Sequence, residues 1–353
     1  MRVVVAMSGG VDSSVASALL KARGYEVIGI TMRLFDSLVS SNSCCGSADG
    51  GMAKRAAAHL GIPFYTLNLT REFEKLVIEN FLNEYSRGRT PNPCIRCNEL
   101  IKFQILHQKS RQLGANFIAT GHYARIKRDK QGFYHLLKGI DQNKDQSYFL
   151  YTLNQTQLER LLLPLGEFFK SQVRQMARDF GLPNAEMEES QEICFVPDND
   201  YANFLKKRCP GLFQPGPIQD SSGRFLGEHS GIANFTIGQR KGLKIALGER
   251  RYVIRIDLEK NAIIIGGEEE VYQRQVWAKD CRWVLGKPPA GKFRAWAKVR
   301  YQGPGSNAWI ECLPDLIYVV FEEPQWGPTP GQAIVFYNGE EVLGGATIVR
   351  SKS

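Results

Sequence analysis

The sequence predicts an α/β protein with an N-terminal doubly wound parallel sheet, then a small central β-rich domain and a C-terminal β-barrel. Three observations carry this. Up to residue 123, short apolar runs rich in β-branched residues (2–7, 26–34, 63–69 and 117–123) alternate with stretches of helical spacing. The first run breaks at Ser8-Gly9-Gly10 just before a helix. From about Pro210, glycine and proline become frequent and alternating runs replace the helices, with turn signals roughly every 8–12 residues beyond Val276.

Length and composition set the bounds. At 353 residues the chain holds two or three domains, and 43% hydrophobic with 23% charged residues is ordinary for a globular protein. No apolar run approaches the roughly 18 residues that span a bilayer, so no membrane association is expected. Strand one begins almost at once and leaves no room for a leader, so a cytoplasmic location is expected; a monomer is also expected. A net charge of +9 favours a polyanionic partner. The eight cysteines (Cys44, Cys45, Cys94, Cys97, Cys194, Cys209, Cys281, Cys312) do not suit a secreted disulfide framework in so long a chain.

Each element follows in order. Residues 2–7 read as a strand buried on both faces, and residues 12–23 as a helix with Val15, Leu19 and Leu20 on its spacing. Between them, Gly9 and Gly10 let the backbone approach an anion, and the first-turn N–H groups and helix dipole favour one there. Ser8, Ser13 and Ser14 add hydroxyls, and Asp12 can hold magnesium on phosphates. The Walker A spacing and its lysine are absent. Met32 ends the second strand, residues 35–50 form a polar loop with Cys44-Cys45, and a helix runs over 49–60. After the third strand, 71–89 is helical, 88–98 is an extended proline-containing loop, and the next helix covers 99–113. Gly121 and His122 lie where the fourth strand emerges. A hairpin spans 124–138, residues 144–149 open a helical region, and 155–207 is mainly helical. Composition shifts place the domains at 1–208, 209–275 and 276–353.

Ser8-Gly-Gly-Val-Asp-Ser13 resembles the pyrophosphate loop (PP-loop) of the ATP pyrophosphatases, whose domain is adenine nucleotide alpha-hydrolase-like and which activate a carbonyl oxygen by adenylation. After it come Pro91-Asn-Pro-Cys-Ile-Arg-Cys-Asn98 with Lys102-Phe103, then Thr120-Gly-His-Tyr-Ala-Arg125 and Lys144-Asp-Gln-Ser-Tyr-Phe149. Glu192-Ile-Cys-Phe195, Phe235-Thr-Ile-Gly-Gln-Arg-Lys-Gly242, Val299-Arg-Tyr301 and Pro330-Gly-Gln332 complete the series. Together these resemble the tRNA-specific 2-thiouridylases over essentially the whole chain. The resemblance implies ATP-dependent adenylation of the C2 oxygen of the wobble uridine in the tRNAs for lysine, glutamate and glutamine. Sulfur then arrives as a cysteine persulfide from a cysteine desulfurase or a relay protein, giving 2-thiouridine with release of AMP and pyrophosphate. By motif, Cys194 matches the persulfide carrier and Cys97 its catalytic partner, acting as nucleophile or closing a disulfide with Cys194. Ala6, Met7, Ser8, Gly9, Gly10, Val11, Asp12, Ser13, Met32 and Gly121 match ATP contacts. Asn92, Pro93 and Cys94 match the loop at the target base. His122, Lys144, Asp145, Gln146, Arg300, Tyr301 and Gln332 match tRNA contacts, with the C-terminal barrel gripping the RNA.

The CxxC of Cys94 and Cys97 leaves readings open. Inert thiols, a structural zinc completed by Cys44-Cys45, and a catalytic thiolate all suit it, the last helped by Arg96 and a helix starting near Asn98. Many members of the family carry aspartate, assigned as a general base, at the position of Cys94, and cysteine is a poor substitute. Cys94, Cys97 and Cys194 can instead hold a [4Fe–4S] cluster with an open iron. Two other functions compete: a PP-loop ATP pyrophosphatase acting as a small-molecule amidoligase, and an RNA-binding module on a relic nucleotide fold. The Cys97/Cys194 pair opposes the first, and intact Gly9, Gly10 and Asp12 oppose the second.

Overall fold

The computed structural model describes residues 1–35, 50–188, 193–196, 200–243, 245 and 248–352. Cys44, Cys45, Asp49 and Glu192 lie outside the described residues. Among those described, the strands form three sheets.

The first contains β1 (Arg2–Ala6), β2 (Glu26–Arg33), β3 (Phe64–Asn68) and β4 (Phe117–Ala119); the chain then forms a hairpin of β5 (Ala124–Arg128) and β6 (Tyr134–Lys138) before returning as β7 (Leu161–Leu162). The sheet order is β3-β2-β1-β4-β7, all parallel. Val3, Val4 and Val5 are fully buried, as expected of a central strand covered on both faces. Burial of each such side chain contributes about 1.5–3 kcal/mol. The chain winds outward from β1 to β3, then crosses back to β4 on the other side of β1. That reversal opens a crevice at the carboxyl ends of β1 and β4, where doubly wound sheets bind ligands. The segments emerging there are 7–10 and 120–122.

The central sheet comprises β8 (Gly216–Asp220), β9 (Phe225–His229), β10 (Tyr252–Asp257) and β11 (Ala262–Gly266), in the order β10-β11-β8-β9 around Ile218, Val253, Ile263 and Ile265. The last six strands are β12 (Tyr272–Trp283), β13 (Phe293–Lys298), β14 (Ser306–Cys312), β15 (Ile317–Trp326), β16 (Ala333–Asn338) and β17 (Glu341–Lys352). They run β12-β15-β14-β13-β16-β17, and pairing of β12 with β17 closes the barrel. Alternate residues fill it, such as Val276 and Ala278, Ala308 and Ile310, Val319 and Phe321.

The structure departs from the sequence reading in four places. The stretch 155–207 is not mainly helical: among its described residues α-helix covers Gln155–Leu158, Lys170–Asp179 and the start of Tyr201–Arg208. The helix expected at residue 99 begins at Pro93, so the CxxC lies within a helix rather than on an extended loop. The fourth strand ends at Ala119, and the two-residue strand β7 joins the sheet beside it. The hairpin β5–β6 pairs with β17 and extends the sheet of the barrel. Tertiary contacts hold it there: Lys138 Nζ lies 4.5 Å from the ring centres of both Trp296 and Tyr337, and Arg125 Nη2 donates to Glu340 Oε2 at 2.9 Å.

Candidate active site

At the switch point, Gly10 is the N-cap of the helix Val11–Ala22 and makes no side-chain cap bond. Its first-turn N–H groups are therefore left for an anion. Gly9 has φ +91°, a conformation that favours glycine. The serines brace the turn: Ser13 Oγ donates to Gly10 O at 3.1 Å, Ser14 Oγ to the same oxygen at 3.2 Å, and Ser8 N to Ser13 Oγ at 3.2 Å. Asn184, almost fully buried, donates Nδ2 to Gly9 O at 2.8 Å and to Ser14 Oγ at 3.0 Å. Gly121 completes the wall. A Cβ on it would stand 2.8 Å from both Asp12 C and Ser13 N, so only glycine fits. Asp12 Oδ1 accepts from Tyr123 OH and from Lys170 Nζ, each at 2.7 Å. Lys170 is itself held by its backbone N–H, which donates to the buried Asp141 Oδ2 at 2.9 Å. This uncapped cradle with an adjacent cation and carboxylate fits the phosphates of a nucleotide, and Asp12 is the residue that would hold a magnesium ion on them. Ala6, Met7, Val11 and Met32, matched by motif to the nucleotide, are all buried.

The cysteine helix begins at Pro93. Asn92 Oδ1 accepts from the N–H groups of Cys94 (3.1 Å) and Ile95 (3.3 Å), and Pro93 occupies the first turn, where its missing N–H costs nothing. Asn92 thus has a capping duty that the sequence reading did not foresee. The helix continues with π winding over Cys97–Leu106. Cys94 is accessible to solvent, yet enough protein surrounds it to push its thiol up by desolvation, with Lys102 pulling it back. Such a thiol is mostly protonated at neutral pH and makes a poor base. Cys97 is buried within the main hydrophobic cluster, and Cys194 packs against that cluster. Phe195 anchors the Cys194 segment by edge-on contacts with Phe73 (5.6 Å), Phe81 (5.4 Å) and Phe204 (5.5 Å). Among the described residues no three His, Cys, Asp or Glu side chains come together to hold a metal ion. Cys94, Cys97 and Cys194 are therefore not gathered as ligands for an iron–sulfur cluster, and the geometry does not fit that expectation.

His122 joins the two halves. Burial, and then the charge of Lys102, hold its imidazole well below the usual range, so it is neutral at pH 7. Its Nδ1 lies 2.7 Å from Thr120 Oγ1, and its ring centre is 6.0 Å from that of Phe103 on the cysteine helix.

A family model described as the tRNA methyl transferase HUP domain matches residues 1–198, the corresponding PRC-barrel domain matches 202–267, and an aminomethyltransferase beta-barrel domain matches 273–348. The curated relatives carry a thiolation name. The tRNA-specific 2-thiouridylase MnmA of Halothermothrix orenii is 49% identical over 352 residues, 98% of each chain. That of Carboxydothermus hydrogenoformans is 49% identical over 354 residues (98% of this chain, 97% of the other), and that of Magnetococcus marinus 47% identical over 353 residues (99% of each). This chain belongs to the tRNA-specific 2-thiouridylase family.

The residues matched by motif to RNA contacts in the 2-thiouridylase family have visible work within the fold. Asp145 carboxylate oxygens accept from Gly139 N (3.0 Å), Ser147 N (3.1 Å) and Ser147 Oγ (2.9 Å), which shapes the loop carrying Lys144. Gln146 Oε1 accepts from Tyr123 N at 3.1 Å. Arg300 Nη2 donates to Ile237 O (3.0 Å), Gly327 O (2.8 Å) and Thr329 Oγ1 (3.2 Å), tying the central segment to the barrel. Tyr301 packs on Phe149 with ring centres 4.5 Å apart, and Gln332 Nε2 donates to Thr90 O at 2.9 Å, just before the cysteine helix. Lys170 and Asn184 were missed by sequence reasoning. Each lies more than a hundred residues from the loop it supports, and no local motif marks either.

Proposed function

We propose that this protein is a tRNA-uridine 2-sulfurtransferase that uses ATP to adenylate the C2 oxygen of the wobble uridine and then replaces it with sulfur from a cysteine persulfide. One observation carries the reading: consecutive residues Gly121 and His122 meet the phosphate cradle and the cysteine helix respectively. Activation by ATP and delivery of sulfur are thereby served at one locus. The unactivated oxygen is a poor leaving group, and adenylation lets it depart as AMP after pyrophosphate has left. Backbone N–H groups of 11–13 and Lys170 stabilise the departing pyrophosphate, and Asp12 would hold a magnesium ion that supplies further positive charge there. Cys194 carries the persulfide; the Cys97 thiolate attacks the inner sulfur, closing a Cys97–Cys194 disulfide and expelling the outer sulfur as hydrosulfide, which adds at C2 and displaces AMP, and a thiol reductant reopens the disulfide for the next turnover. The substrates are the tRNAs for lysine, glutamate and glutamine, whose stacked uridine must flip to reach the pocket. The sulfur comes from a cysteine desulfurase or a relay protein. The uncharged His122 and the capped 92–94 turn face the base, and the barrel and the 144–146 loop bear on the RNA by shape. The domain limits proposed with this reading are 1–208, 209–275 and 276–353, although the first barrel strand already begins at Tyr272.

Thiolation of unmodified tRNA, measured as 2-thiouridine with ATP and a persulfide donor, tests this. Product that needs Cys97 and Cys194, with pyrophosphate release dependent on tRNA, is the expected result. ATP–pyrophosphate exchange driven by a small metabolite without tRNA, and indifferent to both cysteines, would return the amidoligase reading.

A further inference from the structure

Behind the cysteine helix, between it and the barrel, lies a cavity of about 390 Å³. Asn92, Ile95, Arg96 and Glu99 line it at helical spacing, whereas Cys94 and Cys97 do not. We propose that this cavity seats a backbone phosphate of the RNA, a subsite distinct from the nucleotide cradle; the proposal rests on the reading of the chain as a tRNA sulfurtransferase.

Charge is the first argument. Arg87, Arg89, Arg96, Lys279 and Arg282 line the cavity against three carboxylates, Glu84, Glu99 and Asp280. Glu99 is shared at long range, 3.7 Å from Arg96 Nη1 and 3.8 Å from Arg282 Nε, so it compensates neither cation fully. Unmet hydrogen bonding is the second. Arg89 Nε, Arg96 Nε and Thr152 Oγ1 are buried and have no partner among the described residues, although all three residues border this one space. Buried donors without acceptors are uncommon and point to a missing acceptor. The third is backbone geometry. The β12–β17 ladder slips between Lys279 and Arg282, and Asp280 sits there at φ +54°, a strained value for a residue with a side chain. This bulge presents Lys279 and Arg282 to the cavity from the barrel side.

Guanidinium forks match phosphate oxygens, and several converging on one space favour a phosphodiester over a carboxylate. A phosphate bound there would hold Arg96, and with it the far face of the helix that carries the two cysteines. RNA docking and the position of the sulfur chemistry would then be linked.

The test is tRNA binding by the full chain across a salt series, comparing wild type with the Arg89→Gln/Arg282→Gln double variant. The expected result is at least a tenfold weaker Kd at low salt, with the slope of log K against log salt reduced by about 1–2 and ATP affinity unchanged. Arg282 is largely exposed, so Arg282→Gln alone carries the same test, with a slope reduction of about 1, if the double variant does not fold. Unchanged affinity and slope in a folded variant would overturn the subsite. So would saturable binding of inorganic phosphate that depends on Arg89 and Arg282 but is not displaced by tRNA. A wild-type protein that binds no tRNA at any salt would overturn the sulfurtransferase reading and this subsite with it.

Discussion

Lys170 Nζ stands 2.7 Å from Asp12 Oδ1 across 158 residues of chain. The contact joins the start of the helix Lys170–Asp179 to the first turn of the helix behind the phosphate loop. A magnesium ion held by Asp12 would compete for the same carboxylate and would leave the phosphates as the nearest anions to Lys170. Lys170→Ala should lower kcat for thiolation by about 10²–10³-fold, the usual cost of removing one donor to developing charge. Pyrophosphate release should fall in parallel while tRNA affinity holds. Equal kcat in the variant would show that the lysine serves only the fold.

Asn92 separates capping from base contact. Asn92→Ala removes acceptors for the N–H groups of Cys94 and Ile95 and should destabilise the protein by about 1 kcal/mol in denaturant unfolding. Asn92→Asp keeps the cap. If Asn92 also meets the target base, the aspartate variant should recover stability without recovering activity; recovery of both would confine Asn92 to capping.

Gly121→Ala places a methyl group against Asp12 C and Ser13 N, where only backbone can give way. ATP affinity, followed by titration calorimetry, should fall at least tenfold while circular dichroism stays that of the wild type. Unaltered ATP binding would mean the loop yields more easily than its bracing by Ser13, Ser14 and Asn184 implies.

Two histidines should act on stability with opposite signs. His122 is held below its usual pKa by burial, so the unfolded chain takes up the proton first as pH falls through about 6.5, and stability is lost on the acid side. His135 is the reverse case. Burial lowers its pKa, but hydrogen bonds to Glu341 Oε1 (2.6 Å) and Asp129 Oδ2 (3.1 Å) outweigh it and the net shift is upward. Its contribution is complete below the unfolded value and is lost as pH rises through the raised folded value. His135→Gln should remove the alkaline decline in a pH series of urea unfolding, and His122→Gln the acid one. A variant that unfolds with the wild-type pH dependence would rule out its histidine as the source.

Much of the fold was legible because its signals are local. β-Branched runs, the Ser8-Gly9-Gly10 break and the change of composition near 210 announce a parallel sheet, a phosphate turn and a β-rich second half. The capping role of Asn92 was in principle readable too, since Asn-Pro before a helical pattern is an N-terminus signal. The proline pair instead suggested an extended loop, and the helix start was set six residues late. The hairpin β5–β6 was read over 124–138, but nothing within it states that β17 is its neighbour.

The sequence by itself determined the order of elements, the phosphate-binding turn and the identity of the cysteines, because each depends on residues close along the chain. Tertiary structure alone decided which distant groups surround them. It brought Lys170 and Asn184 to the phosphate loop, put Lys102 beside Cys94 and His122, and closed the barrel by pairing β12 with β17. It also left Cys94, Cys97 and Cys194 ungathered as metal ligands. The physical reason is that desolvation, charge and hydrogen-bond partners depend on distance in space, which the packing of whole layers sets and no local spacing encodes.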